Sequence, residues 1–344
     1  MAQNLNEQKC PACGAPLRFD PETGKSVCDW CGTSYEIEAD DGQRDKDAKT
    51  EAAQDEICVY SCVSCGAEII TDAVSASVKC PYCGNNIVIT EKVTGGLRPD
   101  GIIPFKIDKK ALPEAVRKFY KDKPLLPKGF FSESSIEEVC GIYVPFWVYS
   151  SLFKGNANYR AWKESAVRQG DYLITTRKNY KVVRGVTMRF ADMPVDASTR
   201  LDDALMDSVM PFHFYDLVPF SMSYLAGFFA DRFDIDSEEL RKRAEDRMWE
   251  SMLSITDQRA VTGYSGFSRS GHTIKAAERV TRYALLPVYT FSVNWGGKKY
   301  SFAMNGQTGK VVGSLPTDNK KKLLIRWGSF AAIAAAIMLL LSSC

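Results

Sequence analysis

Eight cysteines in four C-x-x-C pairs constrain this sequence more than any other feature. Each pair is followed directly by glycine, and the second set of two pairs repeats the first after 52 residues. The eight positions are Cys10, Cys13, Cys28, Cys31, Cys62, Cys65, Cys80 and Cys83. A repeat of this regularity indicates a duplicated module.

The spacing is typical of a metal site. Two sulfurs on one tight turn reach the same ion, and the following glycine adopts the positive φ that such a turn requires. Two turns supply four thiolates in a tetrahedral set, which suits Zn²⁺ and leaves no coordination position for a substrate. We therefore predict two zinc ribbons with one ion each. We expect residues 16–27 and 68–79, between the pairs, to form short hairpins.

Other uses of these cysteines are less consistent with the sequence. Disulfides need an oxidising compartment, and no signal peptide is recognised at the N-terminus. A redox C-x-x-C needs a βαβ context that the pattern lacks. Rubredoxin-type iron uses the same four ligands and stays an alternative. A ribbon of roughly 25 residues buries too small a core to fold alone, so the metal supplies folding free energy.

The charge distribution argues against nucleic acid as the ligand of these ribbons. The whole chain has a formal net charge of +2, but residues 1–95 contain 8 Lys/Arg and 16 Asp/Glu, a net of −8. Two zinc–tetrathiolate sites add about −4 to this charge. Phosphate binding needs clustered Lys and Arg. We expect the ribbons to dock on protein, and a nucleic-acid-binding ribbon protein is the alternative.

The remainder of the chain has the pattern of an α+β body. Helices are expected at residues 108–121, 202–209 and 237–255, the last with an apolar stripe of Leu240, Ala244, Met248 and Met252. Residues 143–149 resemble residues 285–291, which indicates two related β units. Their prolines, Pro145 and Pro287, are expected at strand starts, edges or bulges. The predicted segments are ribbon 1 (1–39), a charged linker (40–56), ribbon 2 (57–95), the body (100–316), and a basic flank with membrane anchor (317–344).

No catalytic site is predicted. The two histidines, His213 and His272, lack an evident partner, and residues 305–310 are typical of a hairpin turn rather than a phosphate loop. An acidic run contains Asp192, Asp196, Asp202, Asp203, Asp207 and Asp216. Such carboxylates are usual at helix N-termini and on solvated faces. A membrane-tethered hydrolase that uses them is a further alternative.

The C-terminal segment predicts a membrane anchor. Residues 323–341 are 19 mostly apolar residues with one arginine near the start. About 20 apolar residues span a bilayer, and Trp327 suits the interface. A buried alanine-rich core helix is the alternative. The preceding run of Lys320, Lys321 and Lys322 predicts a single-pass protein of the cell membrane with residues 1–322 in the cytoplasm.

Several motifs together resemble a known family. They are the duplicated ribbons, Val195-Asp196-Ala197-Ser198, Tyr224-Leu225-Ala226-Gly227-Phe228, Leu285-Leu286-Pro287-Val288 and Asn305-Gly306-Gln307-Thr308-Gly309-Lys310. Over nearly its whole length the chain resembles the bacterial TFIIB-type zinc-ribbon-containing membrane proteins. Members are often labelled primosomal helicase-like, but this chain has no helicase motor motif. The resemblance implies SPFH-domain or TPM-domain membrane-protein partners and work in membrane organisation or stress. It implies no catalytic residue.

The sequence as a whole therefore predicts a tail-anchored cytoplasmic adaptor. Zinc ribbons present docking surfaces, the α+β body binds a partner, and the lipid bilayer holds the assembly through the C-terminal helix.

Overall fold

The computed structural model describes residues 9–37, 59–62, 64–70, 78–80, 82, 86–87, 97–127, 129–131, 136, 139–260, 262–318, 321 and 323. Cys83, the predicted linker at residues 40–56 and all of the predicted membrane segment except Leu323 lie outside the described residues. Within the described part of the chain, no helix combines the length and apolar character needed to cross a membrane.

The N-terminal third has short strands around the cysteine pairs. They are β1 (Leu17–Asp20), β2 (Lys25–Cys28), β3 (Ser34–Tyr35), β4 (Val59–Ser61), β5 (Glu68–Ile70), β6 (Val78–Lys79) and β7 (Asn86–Ile87). Strands β1 and β2 pair antiparallel, which confirms the hairpin predicted in the first ribbon, and β3 completes a separate sheet. The second ribbon differs from its prediction. β5 pairs with β4 and with a strand of the body, while β6 pairs with β7.

The described residues of the body, which spans 97–318, form strands of 2 to 30 residues and three α-helices. Its elements are β8 (Gly101–Ile102), α1 (Leu112–Tyr120), β9 (Cys140–Gln169), β10 (Tyr172–Asp196), α2 (Asp203–Val209), β11 (Val218–Pro219), β12 (Phe229–Asp231), α3 (Ser237–Ala260), β13 (Gly266–His272), β14 (Lys275–Trp295), β15 (Lys298–Asn305) and β16 (Val311–Gly313).

One mixed sheet joins the body to the second ribbon. In the described residues it has eleven strands, and its main path runs β11-β8-β14-β9-β12-β5-β4. β10 and β13 pair with β9, and β15 links β14 to β16. The molecule is therefore strand-rich α+β, as the sequence predicted.

Helices cover both faces of the centre of this sheet. Residues alternate between the two faces of a strand. On one face Tyr143 and Trp147 of β9 belong to the core cluster that includes the apolar stripe of α3. On the other face Val144 and Phe146 belong to the cluster that includes Met206 of α2. Because both faces are covered, residues 142–149 of β9 are all buried. This part of the sheet connects to the second ribbon on one side and continues into the long β9–β10 hairpin.

The two similar segments occupy equivalent, adjacent positions. β9 first pairs in parallel with β12 and then antiparallel with β10, while β14 first pairs in parallel with β8 and then antiparallel with β15. Pro145 and Pro287 lie inside these central strands rather than at the expected starts or edges. Their carbonyls accept bonds from Ala197 N at 3.0 Å and Gly306 N at 2.8 Å. The N–H and C=O groups of one strand residue point to the same edge of the strand. Each proline, which has no N–H, therefore lies where the neighbouring strand on that edge changes, from β12 to β10 beside β9 and from β8 to β15 beside β14.

Candidate metal centres and the ribbon–body interface

The described C-x-x-C-G turns, here called knuckles, share one geometry. The glycine amide donates to the carbonyl of the first cysteine: Gly14 to Cys10 at 2.8 Å, Gly32 to Cys28 at 2.9 Å and Gly66 to Cys62 at 2.7 Å. The three glycines have φ of 74°, 73° and 72°. A side chain would make this left-handed conformation costly. The turn directs both sulfurs of a pair to one point, as the spacing predicts.

In the first ribbon, residues 9–37, the two knuckles bring four sulfurs together. Cys10 Sγ lies 3.5 Å from Cys31 Sγ, and Cys13 Sγ lies 3.5 Å from Cys28 Sγ. All four sulfurs lie within 4.8 Å of one another. A tetrahedral ion with metal–sulfur bonds of about 2.3 Å separates its sulfurs by about 3.8 Å. The four residues therefore fit a metal–tetrathiolate site.

The electrostatics of this cluster favour a cation at its centre. Tyr35 Oη lies 3.4 Å from Cys10 Sγ, and this contact lowers the pKa of Cys10 to about 6. At Cys13 a backbone bond acts to lower the pKa, but desolvation and the neighbouring sulfurs outweigh it and raise the pKa to about 12. The four thiols thus compete for negative charge. A bound cation removes the competition because it stabilises every thiolate at once.

The second ribbon, of which residues 59–62, 64–70, 78–80, 82 and 86–87 are described, contains the corresponding cluster. The sulfurs of Cys62, Cys65 and Cys80 lie within 4.8 Å of one another, and Cys65 Sγ is 3.7 Å from Cys80 Sγ. This contact is the equivalent, after the 52-residue offset, of the Cys13–Cys28 contact in the first ribbon, where the sulfurs are 3.5 Å apart. The predicted fourth ligand, Cys83, lies outside the described residues. Three of its four predicted ligands are therefore brought together.

The two ribbons differ at one equivalent position. Trp30 and Tyr82 each precede the last cysteine of their knuckle, 52 residues apart. The Trp30 side chain is 85% exposed. Tyr82 instead packs with Phe229 against the cluster of Cys62, Ile69 and Cys80. Burial and the nearby Asp231 carboxylate raise the pKa of Tyr82 well above its ordinary value. Sequence reasoning did not single out Trp30, although a small ribbon with little interior is a signal for an exposed aromatic residue.

Ion pairs reinforce the contact of the second ribbon with the body. β5 and β12 pair antiparallel, with Ile70 opposite Ala230. Beside them Arg232 Nη1 lies 2.9 Å from Glu68 Oε2. Arg200 donates to Asp231 Oδ1 at 3.0 Å and reaches the Gly66 carbonyl of a knuckle at 3.5 Å. The body therefore contacts the ribbon next to its metal ligands.

Buried acids lie behind this contact. Ser198 Oγ donates to Asp231 Oδ2 at 2.6 Å, and Ser198 N donates to Asp196 Oδ1 at 3.1 Å. All three residues are buried. Burial raises the pKa of Asp196 to about 8, and burial also raises the pKa of Asp231. Asp196 Oδ2 has no hydrogen-bond partner within the described residues, which suits a protonated acid. The acidic run in the sequence includes Asp196, but sequence reasoning did not identify Asp231 as a candidate.

The remaining predicted candidates are spread over the body. The acids are engaged in structural contacts: Asp192 with Arg282, Asp202 at the N-cap of α2, Asp203 and Asp207 with the shared Arg243, Asp207 also with Arg247, and Asp216 with Lys106. His213 stacks on Tyr215, and His272 packs edge-on against Trp249. In the described residues, only the two cysteine clusters bring three or more potential ligand atoms within 4.8 Å. The 305–310 segment forms the turn between β15 and β16, as expected.

Fold and site together define a class of protein: an α+β sheet body that carries two cysteine clusters able to hold metal ions. The chain is 32% identical over 333 residues to YdjG of Bacillus subtilis (strain 168), which is described as an uncharacterized protein. The alignment covers 97% of this chain and 95% of YdjG. The chain therefore belongs to the same family as YdjG. Neither a family model nor a solved structure matches it.

Proposed function

We propose that this protein is a membrane-anchored cytoplasmic zinc-ribbon adaptor. Its partner is a membrane protein, and its two cysteine clusters hold one zinc ion each. The resemblance to TFIIB-type zinc-ribbon membrane proteins favours a partner of the SPFH-domain or TPM-domain type and a role in membrane organisation or stress. The predicted anchor at residues 323–341 keeps the adaptor at the bilayer.

The contrast between Trp30 and Tyr82 carries this proposal. In the second ribbon the knuckle aromatic, Tyr82, is one of the groups packed at the junction with the body, beside the β5–β12 pairing. In the first ribbon the equivalent tryptophan faces solvent. Tryptophan is the residue most enriched among those that dominate binding at protein interfaces. The aromatic side chain that packs within the chain in the second ribbon is therefore available to bind a partner in the first.

Zinc fits both clusters as a structural ion. Four thiolates form a closed tetrahedral set with no position for a substrate or a catalytic water. In the second ribbon Cys62, Cys65 and Cys80 would be completed by Cys83. Rubredoxin-type iron would use the same ligands, and metal analysis of the purified chain separates the two. We expect two zinc ions per chain and no iron absorption in the visible range.

The net charge of the first ribbon indicates which kind of surface its partner has. Residues 9–37 contain three Lys/Arg and four Asp/Glu, a net of −1. One Zn²⁺ with four thiolates contributes a further −2. An exposed tryptophan on a ribbon of net negative charge suits an apolar pocket bordered by Lys or Arg, and this charge repels a phosphate backbone.

Photocrosslinking in cells tests the proposal. The full chain is prepared with a benzophenone amino acid in place of Trp30, and a matched chain carries it in place of Tyr215, which is 80% exposed on the body. We expect one membrane-protein crosslink from position 30 and none of that size from position 215. A chain truncated after residue 322 is expected to be absent from the membrane fraction. Crosslinks to nucleic acid, or identical crosslinks from both positions, would contradict the adaptor.

A further inference from the structure

The β9–β10 hairpin extends from the body as an arm, defined here as residues 154–190. Two features hold its base: β13 pairs with β9 as far as Trp162, and Tyr159 Oη donates to Asp257 of α3 at 2.8 Å. In the described residues, no third strand pairs with the arm beyond Trp162. Residues 163–181 are exposed on both faces. The paired strands β9 and β10 therefore extend into solvent with neither face packed against another described part of the protein.

The end of this arm exposes four apolar side chains, interspersed with Arg168 and Asp171. The arm tip, residues 166–175, closes through a turn at Gly170 with φ of 63°. Val167 lies opposite Ile174, and Arg168 lies opposite Leu173. The exposed fractions are 65% for Val167, 78% for Tyr172, 69% for Leu173 and 47% for Ile174. Clustered exposed aliphatic side chains are uncommon in water and mark an interaction site.

Positive charge surrounds the apolar end. Residues 154–190 contain nine Lys/Arg and two Asp/Glu, a net charge of +7. One arginine is balanced inside the arm, because Arg177 Nε lies 3.3 Å from Glu164 Oε1. Lys163 and Lys178 lie directly opposite each other in the ladder and therefore share a face. This face is the one that also carries Val167 and Ile174, by the two-residue period of a strand.

The spacing of these groups matches the layers of a lipid surface. Ile174 and Lys178 are four residues apart, about 13 Å along an extended strand. Apolar groups of surface-bound proteins reach about 5–10 Å below the headgroup boundary. Tyr172 suits the aromatic belt at this boundary. With the aliphatic side chains inserted, the two lysines would lie at the level of the phosphates.

We propose that the arm tip inserts into an anionic lipid bilayer, with Lys163 and Lys178 binding lipid phosphates. This lipid contact is additional to the adaptor function and does not rest on the predicted C-terminal anchor. Charge complementarity and the aliphatic tip select the occupant. A nucleic acid would use the basic residues, but bases stack on aromatic rings and leave Val167, Leu173 and Ile174 in water. Binding of the tip to a partner protein instead of a bilayer would leave the tip unquenched by brominated lipid.

Tryptophan quenching by brominated lipid tests the insertion site by site. The full-length chain with Leu173→Trp is compared with Tyr215→Trp, a conservative change at an exposed position outside the arm. Both are reconstituted in brominated phosphatidylcholine with or without phosphatidylglycerol. The native tryptophans contribute equally to both variants. We expect the added fluorescence at position 173 to be quenched, more strongly with phosphatidylglycerol, and that at position 215 to be unaffected.

A second pair of variants tests the charge. In the Leu173→Trp chain, Lys163→Gln/Lys178→Gln is expected to lose the quenching that depends on phosphatidylglycerol. Lys118→Gln/Lys121→Gln, which removes the same charge from exposed residues of the α1 region, is expected to retain it. Raised salt should act like the first pair, because it screens the surface potential. If Leu173→Trp fails to fold by circular dichroism, Val167→Trp provides the same readout.

Three results would overturn the proposal. The first is equal quenching at positions 173 and 215, or none at either tip position in folded protein. The second is oligonucleotide binding that Lys163→Gln/Lys178→Gln abolishes, without quenching at the tip. The third is a concentration-dependent dimer in sedimentation velocity that Leu173→Ser dissociates, which would assign the tip to a second copy of the chain.

Discussion

The two ribbons carry the same metal motif but relate differently to the body. The first ribbon keeps its own three-stranded sheet and meets the body at Phe19, which packs against Tyr224 and Phe228 and donates a backbone bond to the Ala226 carbonyl at 3.0 Å. The second ribbon places β4 and β5 in the main sheet. Its knuckle tyrosine is packed inward, whereas the knuckle tryptophan of the first ribbon is exposed. Of the two copies of the module, the second is thus part of the main sheet, whereas the first has a separate sheet and an exposed knuckle.

The largest expected effect comes from metal loss in the second ribbon. Cys65→Ser removes a ligand beside the β5–β12 pairing, so unfolding of the ribbon also withdraws two strands from the sheet. We expect Cys65→Ser to lower the free energy of unfolding of the whole chain by about 4 kcal/mol or more. Cys13→Ser, at the equivalent position of the first ribbon, should change unfolding of the body by less than about 1 kcal/mol. Thermal unfolding followed by circular dichroism compares them, and equal losses would break the distinction.

The next effect concerns the ion pairs of each ribbon. Arg200 pairs with Asp231, whose side chain is buried, so Arg200→Ala leaves a buried carboxylate without its cation. We expect a loss of about 3 kcal/mol. Arg18→Ala breaks the exposed Arg18–Asp29 pair of the first ribbon and should cost about 0.5 kcal/mol. Urea denaturation of both variants measures the difference. If Arg18→Ala lowered the free energy of unfolding as much as Arg200→Ala does, the distinction between a buried pair at the second ribbon and an exposed pair in the first would be wrong.

A smaller effect follows from the pKa of Asp196. This pKa is about 8 in the folded chain, above the ordinary value of about 4 for the unfolded chain. The folded state therefore holds a proton that the unfolded state releases. The stability contributed by this proton is complete below about pH 4 and is lost as pH rises toward about 8, by roughly 1 kcal/mol per pH unit. Denaturation between about pH 6 and about pH 8 should show this slope.

Asp196→Asn provides the control for that slope, because an amide does not titrate. The variant should show a flatter pH profile, whereas Asp29→Asn in the first ribbon should keep the slope of the parent chain. An unchanged slope in Asp196→Asn would show that another group binds the proton.

The smallest effect on stability is expected at Trp30. An exposed side chain contributes little to folding, so Trp30→Ser should change the free energy of unfolding by less than about 0.5 kcal/mol. The same change should remove the co-purified membrane protein, because a docking tryptophan typically contributes 2 kcal/mol or more, on the order of thirtyfold in affinity. Phe19→Ser in the same ribbon should instead destabilise the first ribbon itself, because Phe19 is buried against Tyr224 and Phe228. Retention of the partner by Trp30→Ser would refute the docking role.

Much of the local structure could be predicted from the sequence. Glycine-terminated C-x-x-C pairs predict the knuckles because sulfur position and turn conformation are both local. The stripe of α3 is equally local, and all of its predicted residues are buried, although the helix extends to Ala260. The pairing of β5 with β12 could not be predicted, since strands of three residues have no readable alternation and Ile70 and Ala230 are far apart in sequence.

Burial of polar residues was also beyond sequence reasoning. Asp231 follows an apolar stretch and resembles the end of any strand, and its burial depends on the arrival of the second ribbon. The exposure of Trp30 and the packing of Tyr82 likewise depend on which ribbon meets the sheet. Local patterns predicted what each ribbon is, whereas long-range pairing decides what each one contacts.

Hydrogen exchange in β12 tests the central distinction most directly. Backbone amides of Phe229–Asp231 are compared in the parent chain, Cys65→Ser and Cys13→Ser under native conditions. Exchange follows the free energy of local opening. We predict exchange at least about tenfold faster in Cys65→Ser, and parental rates in Cys13→Ser, because β12 pairs with β5 of the second ribbon and, among the residues that the structure describes, with no strand of the first. Equal rates in the two variants, or faster exchange in Cys13→Ser alone, would contradict the conclusion that the second ribbon is part of the body and the first is not.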